Sequence, residues 1–208
     1  MTSVPPPSGP TYRICFVCTG NICRSPIAEV VLRRLVEDAG LAGAVEVDSA
    51  GTGAWHVGDG ADPRAVAVLR GSGYDGSAHR ARVFAADWFA SKDLVVALDR
   101  GHLRTLAATA RDGTERTKVR LLRSFDPAAP ERAEVPDPYY GEDAGFDEVL
   151  AMIRAAVPGM LDWVRENKLG VSSRKATPRP RSPGCAGSPY RAGHPCRTCS
   201  ARIRWSRA

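Results

Sequence analysis

The sequence predicts an α/β domain of three layers, a four-stranded parallel sheet with helices on both faces. Two observations lead to it. Short apolar runs alternate with segments that repeat apolar residues at helical spacing, each long enough to cross a sheet face. The first run also ends abruptly in a loop, Cys18-Thr-Gly-Asn-Ile-Cys-Arg24-Ser-Pro26, that leads directly into such a helical segment. A chain of 208 residues, 43% hydrophobic and 25% charged, suits one domain of this kind with a sizeable core.

In chain order, Tyr12 to Val17 is the first predicted strand. Ala28, Val31, Leu32, Leu35 and Val36 then fall on one helical face, with Ser25 as cap and Pro26 in the first turn, predicting a helix from Pro26 to about Ala39. Further strands are predicted at Val45 to Val47, Leu94 to Leu98 and Val119 to Leu122. Helices are predicted at Asp62 to Arg70, around Asp99 to Ala110, and from Phe146 onward. Val149, Leu150, Ile153, Val157, Leu161 and Val164 form the apolar stripe of the last helix, which Pro158 is expected to kink or split.

The ends differ from this body. Residues 1–11 include three consecutive prolines and neither a basic nor an apolar signal region, and are expected to be a disordered leader; residues 12–169 are the folded domain. Residues 170–208 are expected to be a disordered basic tail, since large aliphatics are nearly absent there. From Val171 onward there are nine Arg or Lys and no acid, leaving 20 basic against 23 acidic residues in the first 170. The overall charge of +6 therefore resides in the tail, and the mildly acidic body argues against specific nucleic-acid binding. No apolar stretch is long enough to span a bilayer, and the chain is read as a cytoplasmic monomer.

Six cysteines in such a chain are expected to be reduced, and three of them, Cys15, Cys18 and Cys23, cluster early. Cys15 lies within a strand and is read as core. In the tail, Cys185, His194, Cys196 and Cys199 are metal-ligand types, but their irregular spacing predicts no metal site.

The loop from Cys18 to Ser25 carries the chemistry. Its residues Thr19, Gly20, Asn21, Ile22, Cys23, Arg24 and Ser25 are expected to turn successive backbone N–H groups toward one point. The helix N-terminus adds its positive dipole end, and Arg24 clamps two oxygens of a phosphate. The same surroundings favour the nucleophilic thiolate of Cys18, and Ser25 can hydrogen-bond that sulfur. Far downstream, Val135-Pro136-Asp137-Pro138 fixes the backbone of a carboxylic acid that can serve as general acid and then base. No metal or other cofactor is required, because the arginine and the amides neutralise the transferring group.

The run Cys18-Thr-Gly-Asn-Ile-Cys-Arg-Ser-Pro26 together with Asp137-Pro-Tyr-Tyr-Gly141 resembles the low-molecular-weight protein tyrosine phosphatase family, bacterial type. Weaker correspondences lie at Asp48-Ser-Ala-Gly-Thr52, Trp55, His79-Arg-Ala-Arg82 and Leu98-Asp-Arg100. The resemblance implies the phosphotyrosine protein phosphatase I-like fold. It implies hydrolysis of phosphotyrosine on proteins through a phosphocysteine at Cys18, with Arg24 and Asp137 as the other catalytic residues. It places Asn21, Ser49 and His79 as a brace under the loop and Trp55, Tyr139 and Tyr140 as the walls of an aromatic slot. It also allows a reversible disulfide between Cys18 and Cys23.

Other activities of the same fold remain in view. Arginine phosphatases typically carry Thr where this chain has Ile22, whose apolar surface favours a flat ring. Arsenate reductases use further cysteines in the body of the domain, and none occurs between Cys23 and Cys185. A non-catalytic phosphotyrosine-binding module would not need Cys18, Arg24 and Asp137 together. Tyr139 and Tyr140, in a loop beside the acid, are themselves candidates for regulatory phosphorylation.

Overall fold

The computed structural model describes residues 10–169; residues 1–9 of the leader and the tail 170–208, with Cys185, His194, Cys196 and Cys199, lie outside the described residues. The first strand, β1 (Tyr12–Cys18), exposes only Arg13, as expected of a parallel strand covered on both faces. After it come α1 (Arg24–Asp38), β2 (Val45–Gly51), α2 (Pro63–Gly71), a 3₁₀ turn at Ala86–Ala90 and β3 (Leu94–Ala97). The chain continues through α3 (Arg100–Thr109), α4 (Gly113–Thr117), β4 (Val119–Leu121), a second 3₁₀ turn at Leu122–Phe125 and α5 (Asp143–Asn167).

The four strands form one parallel sheet in the order β2-β1-β3-β4, which is the predicted architecture. Tyr12 stands opposite Val45 and Cys18 opposite Gly51, while Ile14 pairs with Leu94 on the other side. The period of two sends Ile14, Phe16 and Cys18 into a large core with α1 and α5. Cys15 and Val17 point the other way, into a smaller core with Phe84, Phe89 and Leu106. The connection leaving the carboxyl end of β1 runs to β2 on one side, and the connection leaving its neighbour β3 runs to β4 on the other. That reversal opens a crevice where Cys18 lies.

Two expectations are corrected. Helix α1 begins at Arg24, two residues before Pro26, and Ser25 is not its cap: Cys23 takes the N-cap position and no side chain caps the helix. Asp62, Asp99 and Asp112, in contrast, cap α2, α3 and α4 by accepting from backbone amides. The uncapped N-terminus of α1, free of acids in its first turn, keeps its dipole facing the crevice.

Of the kink or split expected at Pro158, the split does not occur: α5 continues unbroken to Asn167. Pro158 and Arg154, whose carbonyl loses its i+4 donor, both lie on the exposed face, away from the packed core. The adjacent Gly159 is a close-approach position. A Cβ there would lie 2.2 Å from the Phe125 carbonyl oxygen, so α5 packs directly on the second 3₁₀ turn.

Candidate active site

The loop from Cys18 to Arg24 is held with its carbonyls turned outward. Thr52 N donates to Cys18 O at 2.8 Å, Gly53 N to Thr19 O at 3.0 Å and Asp62 N to Ile22 O at 2.8 Å. His79 Nε2 lies 2.7 Å from Asn21 O, an acceptor, so that nitrogen carries the proton. With these carbonyls taken by neighbours, Asn21 N donates to Cys18 Sγ at 3.3 Å. Ser25 Oγ lies 3.0 Å from the same sulfur. Cys18 itself is almost fully buried at the floor of a cleft of about 380 Å³.

Asn21 is the hinge of this arrangement, with a φ of 58° that a non-glycine residue adopts only when its surroundings insist. They do so through its side chain. Nδ2 donates to Ser25 Oγ at 2.9 Å and to Ser49 Oγ at 2.8 Å, while Oδ1 accepts from Arg82 N at 2.8 Å. Ser49 in turn donates to Glu29 Oε2 at 2.5 Å. The structure therefore brings Asn21, Ser49 and His79 together beneath the loop, and adds Glu29 and the Arg82 backbone to them. Burial pushes the His79 imidazole below its ordinary value, offset in part by Asn21 O and Glu29. Gly51 completes the support from β2: a Cβ there would sit 2.7 Å from Thr19 O.

Arg24, only 3% exposed, reaches from the first turn of α1 to two carboxylates. Nη1 donates to Asp99 Oδ2 at 2.8 Å and to Val135 O at 3.1 Å; Nη2 donates to Asp137 Oδ2 at 2.6 Å. Asp137 reaches the cleft because Val135 N is fastened to Leu98 O at the end of β3, and the backbone of Tyr139 donates back to Asp137 Oδ1 at 3.2 Å. Burial alone would push the Asp99 carboxyl up. The His102 amide and ring and Arg24 outweigh it and hold Asp99 below its ordinary value.

The cleft walls come from two distant segments. Trp55 and His56 from one and Tyr139 and Tyr140 from the other line the cleft together with Thr19, Gly20, Ile22 and Cys23, Trp55 and Tyr140 being largely exposed. Tyr139 and Tyr140 meet edge to face with centroids 4.9 Å apart, and His56 faces Tyr139 at 6.4 Å. Arg64 ties this rim down, donating to the carbonyls of Tyr139 and Gly141 while its guanidinium also bonds Asp62. Cys23 Sγ is 3.9 Å from Asp62 Oδ2. Burial first, then the nearby Asp62, push the Cys23 thiol up to about 12.

Sequence reasoning assigned no part to His56, Asp62, Arg64, His102 or Glu29, and quoted Asp99 without giving it one. The N-cap positions of Asp62 and Asp99 were legible as Asp followed by Pro or by a helical segment. Glu29 and His102 lie inside helices, where nothing in the periodicity separates them from ordinary polar positions.

Residues 13–169 match the family model for low molecular weight phosphotyrosine protein phosphatase. A low molecular weight protein-tyrosine-phosphatase of Streptomyces coelicolor is 60% identical over 161 residues, covering 77% of this chain and 98% of that protein. Low molecular weight protein-tyrosine phosphatase A of Mycobacterium bovis is 51% identical, covering 74% of this chain and 91% of that one. A crystal structure of a protein tyrosine phosphatase from Entamoeba histolytica superposes with a TM-score of 0.72 at 31% identity, over 76% of this chain and 99% of its own.

Proposed function

The chain belongs to the low molecular weight phosphotyrosine protein phosphatase family, and from that premise we propose that it hydrolyses phosphotyrosine on proteins through a phosphocysteine formed at Cys18. The observation that carries this reading is the position of Cys18 Sγ. It receives the Asn21 amide at 3.3 Å, has Ser25 Oγ at 3.0 Å, and shares one cleft with Arg24 and Asp137.

In the first half-reaction the sulfur attacks phosphorus, an S–P bond forms, and the bond from phosphorus to the phenolic oxygen breaks. Arg24 and the loop amides hold the equatorial oxygens as charge shifts between them. Arg24 trades its contact with Asp137 for the entering phosphate, and Asp137, protonated, gives its proton to the departing oxygen. In the second half-reaction Asp137 takes a proton from water, the oxygen of which attacks phosphorus. The S–P bond breaks and inorganic phosphate leaves with the thiolate restored. Ser25 donates to the departing sulfur in this step.

Asn21, Ser49 and His79 serve as loop support in this scheme, and Trp55, Tyr139 and Tyr140 as the slot that receives the ring. Ile22, nearly buried on the floor of the cleft, offers a flat apolar contact and favours a phenyl ring over the guanidinium of phosphoarginine. Phosphoserine is too short to bring its phosphate to the sulfur while filling the slot. One chain carries every group invoked, so a monomer suffices. Among the described residues no helix is long and apolar enough to cross a membrane, and with phosphoproteins as substrates we place the enzyme in the cytoplasm.

The test compares wild type, Cys18→Ser and Asp137→Ala on phosphotyrosine, phosphoarginine and phosphoserine peptides. Wild type should prefer phosphotyrosine, Cys18→Ser should lose turnover, and Asp137→Ala should retain a small fraction of it. Turnover by Cys18→Ser, or failure to find phosphate on the sulfur after rapid alkaline quench, would overturn the reading.

A further inference from the structure

His102 is a buried imidazole for which the proposed reaction has no use, yet it touches the site twice. It lies in the first turn of α3, 5% exposed, with Nε2 2.9 Å from Thr19 Oγ1. Its other nitrogen, Nδ1, is 3.0 Å from Asp99 Oδ1. That contact is too bent for a full hydrogen bond, and Nδ1 has no other partner among the described residues. Asp99 also accepts the His102 amide at 2.8 Å and, through its second oxygen, Arg24 Nη1 at 2.8 Å. The result is a line of polar contacts, Thr19 to His102 to Asp99 to Arg24, joining the residue after the nucleophile to the guanidinium.

We propose that His102 is a positioning residue for the phosphate loop, acting through Thr19 at one end of the loop and through Asp99 on Arg24 at the other. The chemistry of the line fixes its proton. Asp99, bonded to Arg24, is a carboxylate and can only accept. A lone pair on Nδ1 3.0 Å from it would be repelled, so the hydrogen of the neutral ring belongs on Nδ1 although its contact with that oxygen is bent. Nε2 is then an acceptor, and the Thr19 hydroxyl must donate to it. The Thr19 hydroxyl hydrogen is thereby committed away from the phosphate, and the first turn of the loop is tied to the same helix cap that orients Arg24. Burial holds the ring neutral, lowering it to about 4 against the pull of Asp99, so this state is maintained through the neutral range.

A buried neutral histidine between two fixed partners is a specific arrangement with a specific signature. Removing it frees both a loop hydroxyl and one face of Asp99. Misplacement of catalytic groups by a fraction of an ångström to an ångström costs up to about a hundredfold in rate. An effect of about tenfold is therefore expected here, mainly on kcat, because the loop amides still bind the dianion.

The inference rests on the phosphatase reading, and the experiment separates the two. Wild type, Thr19→Val, His102→Asn, His102→Ala and the double variant Thr19→Val/His102→Ala are compared on p-nitrophenyl phosphate, with Cys18→Ser as the control for the reading itself. In parallel, ¹⁵N-resolved NMR of wild type at pH 7 reports which ring nitrogen of His102 is protonated. Each single loss should lower kcat about tenfold with little change in KM. The double variant should be no worse than His102→Ala, and His102→Asn should recover part of the rate. The resonance should be that of the Nδ1–H form.

Additive losses in the double variant, full activity in His102→Ala, or an Nε2–H ring would overturn the proposal. Should His102→Ala fail to fold, Thr19→Val and the wild-type tautomer still decide. Residual turnover by Cys18→Ser would instead count against the phosphocysteine and leave the tautomer result standing.

Discussion

Arg24 Nη2 donates to Asp137 Oδ2 at 2.6 Å, joining the turn that follows the proposed nucleophile to a loop 113 residues downstream. The same guanidinium holds Asp99 and the Val135 carbonyl, so a single side chain ties the first turn of α1 to two distant segments. Lysine keeps the charge but loses the planar fork. Arg24→Lys should therefore lower kcat/KM by about 10² to 10³ while thermal stability changes little, measured by steady-state kinetics beside a melting curve.

Asn21 combines an unfavourable φ with side-chain bonds to Ser25, Ser49 and the Arg82 amide. Asn21→Ala removes the bonds and keeps the strain, leaving buried polar partners unpaired at a cost of about 1–3 kcal/mol. Asn21→Gly removes the same bonds but relieves the strain. Chemical denaturation should rank wild type above glycine and glycine above alanine; equal losses in both variants would show that φ contributes nothing.

Two glycines separate activity from stability. A methyl at Gly51 would press on the Thr19 carbonyl, and one at Gly159 on the Phe125 carbonyl. Gly51→Ala should depress kcat more than it depresses the unfolding free energy, because the displaced atom belongs to the phosphate loop. Gly159→Ala should destabilise by about 1–3 kcal/mol and leave kcat of the folded fraction unchanged.

His102 gives stability a pH dependence whose sign is fixed by its lowered value. The unfolded imidazole titrates near 6.5 and the folded one near 4. Between those values the unfolded chain binds more protons, so stability is full above about 6.5 and falls as pH drops toward 4, by up to about 3 kcal/mol from this group. The groups facing the ring are Asp99, Arg24, Asp137 and Glu134. Asp99, held below its ordinary value, adds a further loss at still lower pH. His79 shifts the same way, so the contribution of His102 is the difference in urea midpoints between wild type and His102→Asn from pH 8 to pH 4.

Cys23 bears on oxidation. A disulfide with an oxidised Cys18 forms by attack of the Cys23 thiolate, which is scarce at neutral pH for a thiol pushed up to about 12. Recovery of peroxide-treated enzyme by dithiothreitol should therefore be poor at pH 7 and improve steadily toward pH 9. Cys23→Ser should show no such improvement.

The parallel sheet was legible because buried parallel strands are short apolar runs, such as Tyr12–Val17 and Leu94–Leu98, whereas the strand order depends on long-range pairing that no local pattern encodes. Helix ends were less legible. Ser25 and Pro26 look like a cap and a first turn, but the bonds of Ser25 to the sulfur and to Asn21 draw it into the helix and leave Cys23 at the boundary. Pro158 carries a breaking signal in any sequence, and only the exposure of its face reveals why the helix passes through it. Arg24 was read as a phosphate clamp. Its attachment to Asp99 and Asp137 depends on contacts 75 and 113 residues apart that no local pattern encodes.

Trp55, His56, Tyr139 and Tyr140 stand on two excursions of the chain that contribute no rung to the sheet, whereas the sulfur and its amides issue directly from the central strand. Recognition and bond-making are thus borne by separable parts. Variants randomised at those four positions would sort by the peptide they accept, each retaining the same dependence on leaving-group acidity.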